Sequence, residues 1–209
     1  MTQEIKAVLF DIGGVIVRTD DPAPRERLAA RFGLDRAGID RLVFSSPAAQ
    51  AAERGATEEQ AVWQHVAAAL SLSAADLLDF QVQFWGGDRA DGALLDMLRG
   101  LRGRYRTGLL TNSWLRDPLP LFWTRFGLPE AQIRATFDAV VSSAQVGVQK
   151  PDPRIYQAAL AALGAAAQET VFVDDFAHNI EAARALGLHA IHFRGADQAR
   201  RELLELLGL

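Results

Sequence analysis

The chain has 209 residues, 49% hydrophobic and 23% charged, a composition and length that support a real core with room for a large insertion. Its formal net charge of -4 argues against nucleic acid or an anionic membrane as the main partner, and the lack of cysteine rules out disulfides, thiolate catalysis and cysteine-ligated zinc. No apolar run is long enough to span a bilayer and no signal-type segment opens the chain, so the expectation is a cytoplasmic enzyme or binding protein.

The chain opens on Lys6-Ala7-Val8-Leu9-Phe10-Asp11-Ile12-Gly13-Gly14-Val15-Ile16-Val17. The near-continuous apolar start predicts a strand buried on both faces of a parallel sheet. It ends at a carboxylate followed by two glycines, which let the backbone turn sharply and approach a ligand closely. A strand-end Asp that merely caps a turn reads equally well on this stretch alone.

From residue 18 to about 90 the strand signal fades, and Ala, Leu, Arg and Glu dominate. Leu28 and Phe32 lie one helical turn apart. Thr57-Glu58-Glu59-Gln60 reads as a capping box, with Trp63, Val66, Ala67 and Leu70 forming the face that follows. Ser73 caps another helix running towards Phe84. Roughly seventy residues is far longer than the usual strand-to-helix connection. Residues 18–90 are therefore read as a helical insertion over the end of the first strand, and residues 1–17 and 91–209 as the core.

The remainder alternates. Helices are predicted over residues 94–101, 118–126, 152–163, 177–186 and 196–207, and strands over 106–110, 137–142, 170–173 and 188–193. This order predicts an α/β fold with a doubly wound parallel sheet joined by right-handed crossovers. Its strand ends then converge along one edge. Asp11 ends the first strand, Thr111-Asn112 the second and Asp174-Asp175 the fourth, while Lys150 follows the third. Carboxylate oxygens suit magnesium, which also binds substrate phosphate. Thr111 and Asn112 can donate to phosphate oxygens, and Lys150 can neutralise developing charge, as phosphoryl transfer requires.

These motifs, in this order, resemble the haloacid dehalogenase superfamily in its branch with a helical cap after the first strand. Val8-Leu9-Phe10-Asp11 with Gly13-Gly14-Val15 resembles the first motif, and Leu109-Leu110-Thr111-Asn112-Ser113-Trp114 the second. Residues 146–156, around Lys150-Pro151, resemble the third, and Val171-Phe172-Val173-Asp174-Asp175 with Asn179 and residues 182–187 the fourth. The second and third motifs look especially like the N-terminal phosphatase domain of soluble epoxide hydrolase and its bacterial single-domain relatives.

The resemblance implies a phosphatase acting on a small phosphorylated metabolite, such as a sugar phosphate, as a monomer or homodimer. Asp11 would be the nucleophile and Lys150 its bridge to the phosphate. Mg2+ would be held by Asp11, the Gly13 carbonyl and Asp175, with Asp174 a direct ligand or behind one. Thr111 and Asn112 would hold the phosphate, and Asn179 would support the metal loop. Arg54 is a candidate for substrate recognition, and Trp114 for the pocket wall.

One departure stands out. Most phosphatases of the superfamily carry an acid two residues after the nucleophile, where this chain has Gly13. A positioned acid–base group is worth on the order of 10²–10⁴-fold in rate. His178, beside the metal loop, is one candidate donor, although a solvated histidine at a helix start is the plainer reading. His65, His189 and His192 read as structural. Two alternatives follow: a pseudo-phosphatase that binds but scarcely catalyses, supported only by Gly13, and a dehalogenase, against which the paired Asp174-Asp175 argues.

Overall fold

The computed structural model describes residues 4–209. Its elements run β1 (Ala7–Phe10), β2 (Val17–Thr19), α1 (Ala23–Arg31), α2 (Arg36–Phe44), α3 (Pro47–Glu53), α4 (Glu59–Leu70), α5 (Ala74–Trp85) and β3 (Asp88–Ala90). They continue through α6 (Gly92–Leu101), β4 (Arg106–Thr111), α7 (Pro120–Thr124), α8 (Glu130–Thr136), β5 (Ala139–Ser142) and α9 (Ser143–Val146). The last are α10 (Pro153–Leu163), β6 (Thr170–Asp174), α11 (Ala177–Ala185), β7 (His189–His192) and α12 (Ala196–Leu207).

Among the described residues, five parallel strands form the central sheet in the order β5-β4-β1-β6-β7. All four residues of β1 are fully buried, because alternate side chains feed opposite faces. Val8 and Phe10 join Leu109, Val171, Val173 and Ile191 under α6 and α12. Ala7 and Leu9 join Leu110, Val141 and Phe172 under α10 and α11. The unbroken apolar run at residues 7–10 is thus explained by two cores rather than one. The strand order reverses at β1, and ligands of open α/β sheets bind at the carboxyl ends beside such a reversal.

Helices α1 to α5 form the cap, with its own aromatic-rich core of Leu28, Ile39, Val43, Trp63, Phe80 and Phe84. Two of its helices, α2 and α3, are additions to the three expected helical signals. Both had local start signals: Asp35 accepts from the Gly38 N–H, and Ser46 accepts from the Ala49 N–H with Pro47 in the first turn. The Thr57 capping box is not formed. Helix α4 begins at Glu59 behind Glu58, without a side-chain cap, and Glu59 instead accepts from Trp63 Nε1 at 2.9 Å. The helix expected over residues 118–126 shortens to the five residues of α7, and the strand expected from residue 137 starts at Ala139.

The chain enters and leaves the cap through an antiparallel ribbon, β2 against β3. Arg18 on the outgoing strand pairs with Asp91 at 2.7 Å, and Asp91 also caps α6 through the Leu94 N–H. Deeper in, Arg25 of α1 pairs with Asp88 of β3 at 3.1 Å, with both side chains almost fully buried. The guanidinium also donates to the Phe84 carbonyl and lies 4.2 Å from the Phe84 ring centroid. Removing one partner of a buried ion pair strands the other charge and costs about 3–5 kcal/mol. Asp88→Ala is therefore expected to destabilise the protein by about 3 kcal/mol. Urea unfolding checks this; an unmoved midpoint would show that Phe84 and Asp40 hold Arg25 without Asp88.

Candidate active site

Strand ends β1, β4 and β6 bring Asp11, Thr111 and Asp174-Asp175 together, as the parallel register requires. Carboxylate oxygens of Asp11, Asp174 and Asp175 all lie within 4.8 Å of one another. Lys150, from the loop between α9 and α10, reaches into this cluster. Its Nζ sits 2.9 Å from Asp11 Oδ2 and 2.6 Å from Asp174 Oδ2, with 1% of its side chain accessible.

The two acidic residues at the end of β6, Asp174 and Asp175, differ in kind. Asp174 is fully buried and saturated: it accepts from Lys150, from Asn179 Nδ2 at 2.9 and 3.1 Å, and from the Phe176 N–H at 2.8 Å. Asp175 is half-buried, and its Oδ1 is enclosed with no hydrogen-bond partner. A buried carboxylate oxygen without a donor is costly, and an ion is one of its ordinary remedies. Asn179 accordingly serves Asp174 through Nδ2, while its own Oδ1 and Asp175 Oδ1 are both buried without a donor.

The glycines divide the work as well. Gly14 has a φ of +76°, and a Cβ there would lie 2.1 Å from Asp175 Oδ2. Only glycine lets the β1 turn and the Asp175 carboxylate approach so closely. Gly13 has no such constraint: a Cβ would meet nothing within 4 Å.

Asn112 acts on the lysine loop. Its side-chain amide donates to the Lys150 carbonyl at 3.1 Å and accepts the Lys150 N–H at 2.8 Å. The side chain that the sequence assigns to phosphate thus also fixes Lys150, using its oxygen and one of its two N–H donors. Thr111 is buried at the strand end beside it, and both residues line the cavity.

Electrostatics follow from burial. Asp11 is pushed up to about 7, chiefly by loss of water and then by Asp174 and Asp175, with Lys150 opposing. Burial works against the Lys150 ammonium, but Asp11 and Asp174 together outweigh it and raise its pKa. Asp175 is raised by burial and by Asp174. Three carboxylates against one ammonium leave a deficit of positive charge when all are ionised.

A cavity of about 750 Å3 opens from this cluster towards the cap. Trp114, directly after the phosphate-side turn, lines it and also docks into the cap, its ring centroid 5.7 Å from Phe44 and 5.8 Å from Trp63. His178 lines the cavity beside Phe176. Arg54 is exposed at the end of α3, whereas its neighbour Glu53 lines the cavity and accepts from Gln149. Burial raises the Glu53 pKa. Sequence reasoning did not single out Glu53; its position next to Arg54, at the end of α3, was the available signal. His192, read as structural, places Nε2 2.9 Å from the Asp175 carbonyl and so steadies the loop after β6.

Comparison with known proteins agrees with this geometry. The chain is 28% identical to the sesquiterpene phosphatase astK of Aspergillus oryzae over the full length of both proteins. It is 38% identical over 105 residues to bifunctional epoxide hydrolase 2 of Sus scrofa, a match covering half of this chain and 19% of that protein. A structure of a related fold from Bacteroides thetaiotaomicron, solved with magnesium and inorganic phosphate, superposes with a TM-score of 0.77 at 20% identity, covering 94% of this chain and 98% of that one. The model of haloacid dehalogenase-like hydrolases matches residues 5–187, and the chain belongs to that family of hydrolases.

Proposed function

We propose that the protein is a magnesium-dependent phosphomonoester hydrolase working through an aspartyl-phosphate on Asp11. The observation that carries this reading is the buried Lys150 ammonium held between Asp11 and Asp174, with the donor-free Oδ1 of Asp175 alongside. The donor set is all oxygen, it is short of positive charge, and one of its carboxylate oxygens is buried without a partner, so the residues fit a hard divalent cation. Asp11, the Gly13 carbonyl and Asp175 would hold it, with Asp174 behind them as the anchor of Lys150. When bound, magnesium supplies positive charge to the phosphate oxygens.

The residues of the chain then have distinct tasks. One Asp11 oxygen attacks phosphorus as the bond to the leaving oxygen breaks; water later attacks the same phosphorus and returns the Asp11 carboxylate. The other Asp11 oxygen is oriented by the Ile12 N–H at 2.7 Å. Lys150 balances charge on the nucleophile and the transferring group. Thr111 and the backbone beyond it offer donors to the phosphate. The cap of helices α1 to α5, taken as residues 18–90, covers the reacting group. The full-length likeness to a named phosphatase supports the same reaction class.

Asp11→Asn is expected to reduce phosphatase turnover to background while leaving the far-ultraviolet circular dichroism unchanged, since an amide is a poor nucleophile. Substantial activity in that variant would rule out the covalent route.

The glycine pair offers a contrasting test. Gly14→Ala places a Cβ against Asp175 and a side chain at positive φ, a strain of about 1–3 kcal/mol. It should lower both thermal stability and magnesium affinity measured by calorimetry. Gly13→Asp has open space and should fold normally. If the missing acid limits the parent enzyme, this variant should raise the rate on alkyl phosphates by about tenfold or more and leave p-nitrophenyl phosphate little changed. The readout is the slope of log rate against leaving-group pKa, under conditions where phosphorylation of Asp11 limits turnover. A shallow slope in the parent would mean that another group already supplies the proton.

A further inference from the structure

We infer that the cavity selects phosphomonoesters with an apolar leaving group, a hydrocarbon or aryl body rather than a polyol. This rests on the phosphatase reading for its reactive end and on the cavity wall for its selectivity. The cavity, at about 750 Å3, is within the ~300–1,000 Å3 range of ligand pockets and far exceeds what a phosphate fills. Away from the carboxylates its wall is built by Phe44, Trp85, Trp114, Leu115, Pro118 and Leu121. Phe44 keeps 37% of its surface accessible, although its ring contacts Phe84, Trp85 and Trp114. Accessible aromatic surface on a cavity wall is what an apolar ligand would cover.

Most of the polar side chains on the same wall are engaged elsewhere, while Trp85 Nε1 is buried without a partner. Arg25 is committed to Asp88, Asp40 and the Phe84 carbonyl. Asp88 also accepts from Thr19 Oγ1, Glu59 accepts from Trp63 Nε1, and Glu53 accepts from Gln149. The Arg125 guanidinium lies 4.4 Å from the Trp85 ring centroid, presenting a weakly hydrated planar cation to the wall. A sugar's several hydroxyls, stripped of water here, would outnumber the uncommitted donors on this wall, the Arg125 guanidinium and Trp85 Nε1, and would compete with the carboxylates' existing partners. An unpaired buried hydroxyl opposes binding, whereas each methylene laid on this wall favours it.

The experiment uses the full chain with magnesium. First, kcat/KM is measured for n-alkyl phosphates from butyl to decyl and for glucose 6-phosphate. The expected result is a rise of roughly two- to fourfold per added methylene until the wall is covered, with octyl phosphate well above the sugar phosphate. A flat series, or preference for glucose 6-phosphate, overturns the proposal. Second, n-alkylphosphonates, whose carbon–phosphorus bond the proposed reaction does not cleave, are titrated by tryptophan fluorescence. Affinity that grows with chain length supports the apolar wall even if no ester is hydrolysed, an outcome that would defeat only the phosphatase reading. Affinity independent of chain length overturns the proposal whatever the turnover. Third, Leu121→Asp should cut the octyl-to-butyl affinity ratio by about tenfold; an unchanged ratio in the folded variant places the chain elsewhere and overturns the assignment of this wall.

Discussion

The architecture of the site depends on one ammonium ion taken out of water. Lys150 Nζ, almost inaccessible, is stable only because Asp11 and Asp174 lie within 3 Å of it. That pairing needs three backbone segments to agree. Strands β1 and β6 must be adjacent and parallel, so that Asp11 and Asp174 emerge side by side. The loop bearing Lys150 must be held against them, and Asn112 does this from β4 with two hydrogen bonds to the lysine backbone. The ion pair alone is weak grounds for stability, because desolvating three charges is expensive. Its value is positional: it fixes Asp11, Lys150 and the acidic pair in one arrangement before any ligand arrives.

One aromatic residue, Trp114, ties the cap directly to that arrangement. Trp114 belongs to the same turn as Asn112, two residues on, yet its ring packs against Phe44 and Trp63 of the cap. A shift of the cap relative to the sheet therefore bears on the turn that pins Lys150. Arg116 donating to the Gly55 carbonyl and Gln149 paired with Glu53 add polar ties at the same seam. Entry and exit of the cap pass through the β2–β3 ribbon, where the buried Arg25–Asp88 pair fastens its first helix to the returning strand.

The sheet and its converging residues were legible in the sequence because both-face burial leaves a near-continuous apolar signature, as in residues 7–10 and 170–173, and each such run ended at a carboxylate. Asp11, Lys150, Asp174 and Asp175 come together as their places in that alternation imply. The small-residue cap was harder to read. Helix α3, Pro47–Glu53, contains four alanines and buries only Ala49 and Ala52, so its apolar periodicity is faint, though Ser46-Pro47 marked its start. The ribbon strands are three residues each, too short for a pattern. Which partner a polar side chain takes was not legible either. Asn112 sits where a phosphate donor is expected, and only three-dimensional proximity to the Lys150 backbone reveals its other duty. The contrast between Gly13 and Gly14 is of the same type: identical residues, of which one is needed for its conformation and the other leaves room for a side chain.

That room connects the chemistry at the reactive end with the shape of the wall. In the proposed reaction, without a proton donor at residue 13, the departing oxygen would carry more of its own negative charge. Leaving groups that tolerate this are those whose conjugate base is stabilised within the leaving group, as in aryl or enol esters. An apolar, aromatic wall disfavours a localised alkoxide still further, because a bare charge is poorly solvated there. The two features therefore narrow the favourable substrates in the same direction: an apolar body and an oxygen that departs without much help. Where the body is a simple alkyl chain, a proton must come from the cavity's own titratable groups. Glu53, with its raised pKa, and His178 are on the lining. Glu53 already accepts a hydrogen bond from Gln149, adjacent to Lys150, so its protonation would alter the seam between cap and sheet as well as the leaving-group step. A pH-dependent change in alkyl ester turnover that is absent for aryl esters would thus report the proton donor rather than the nucleophile.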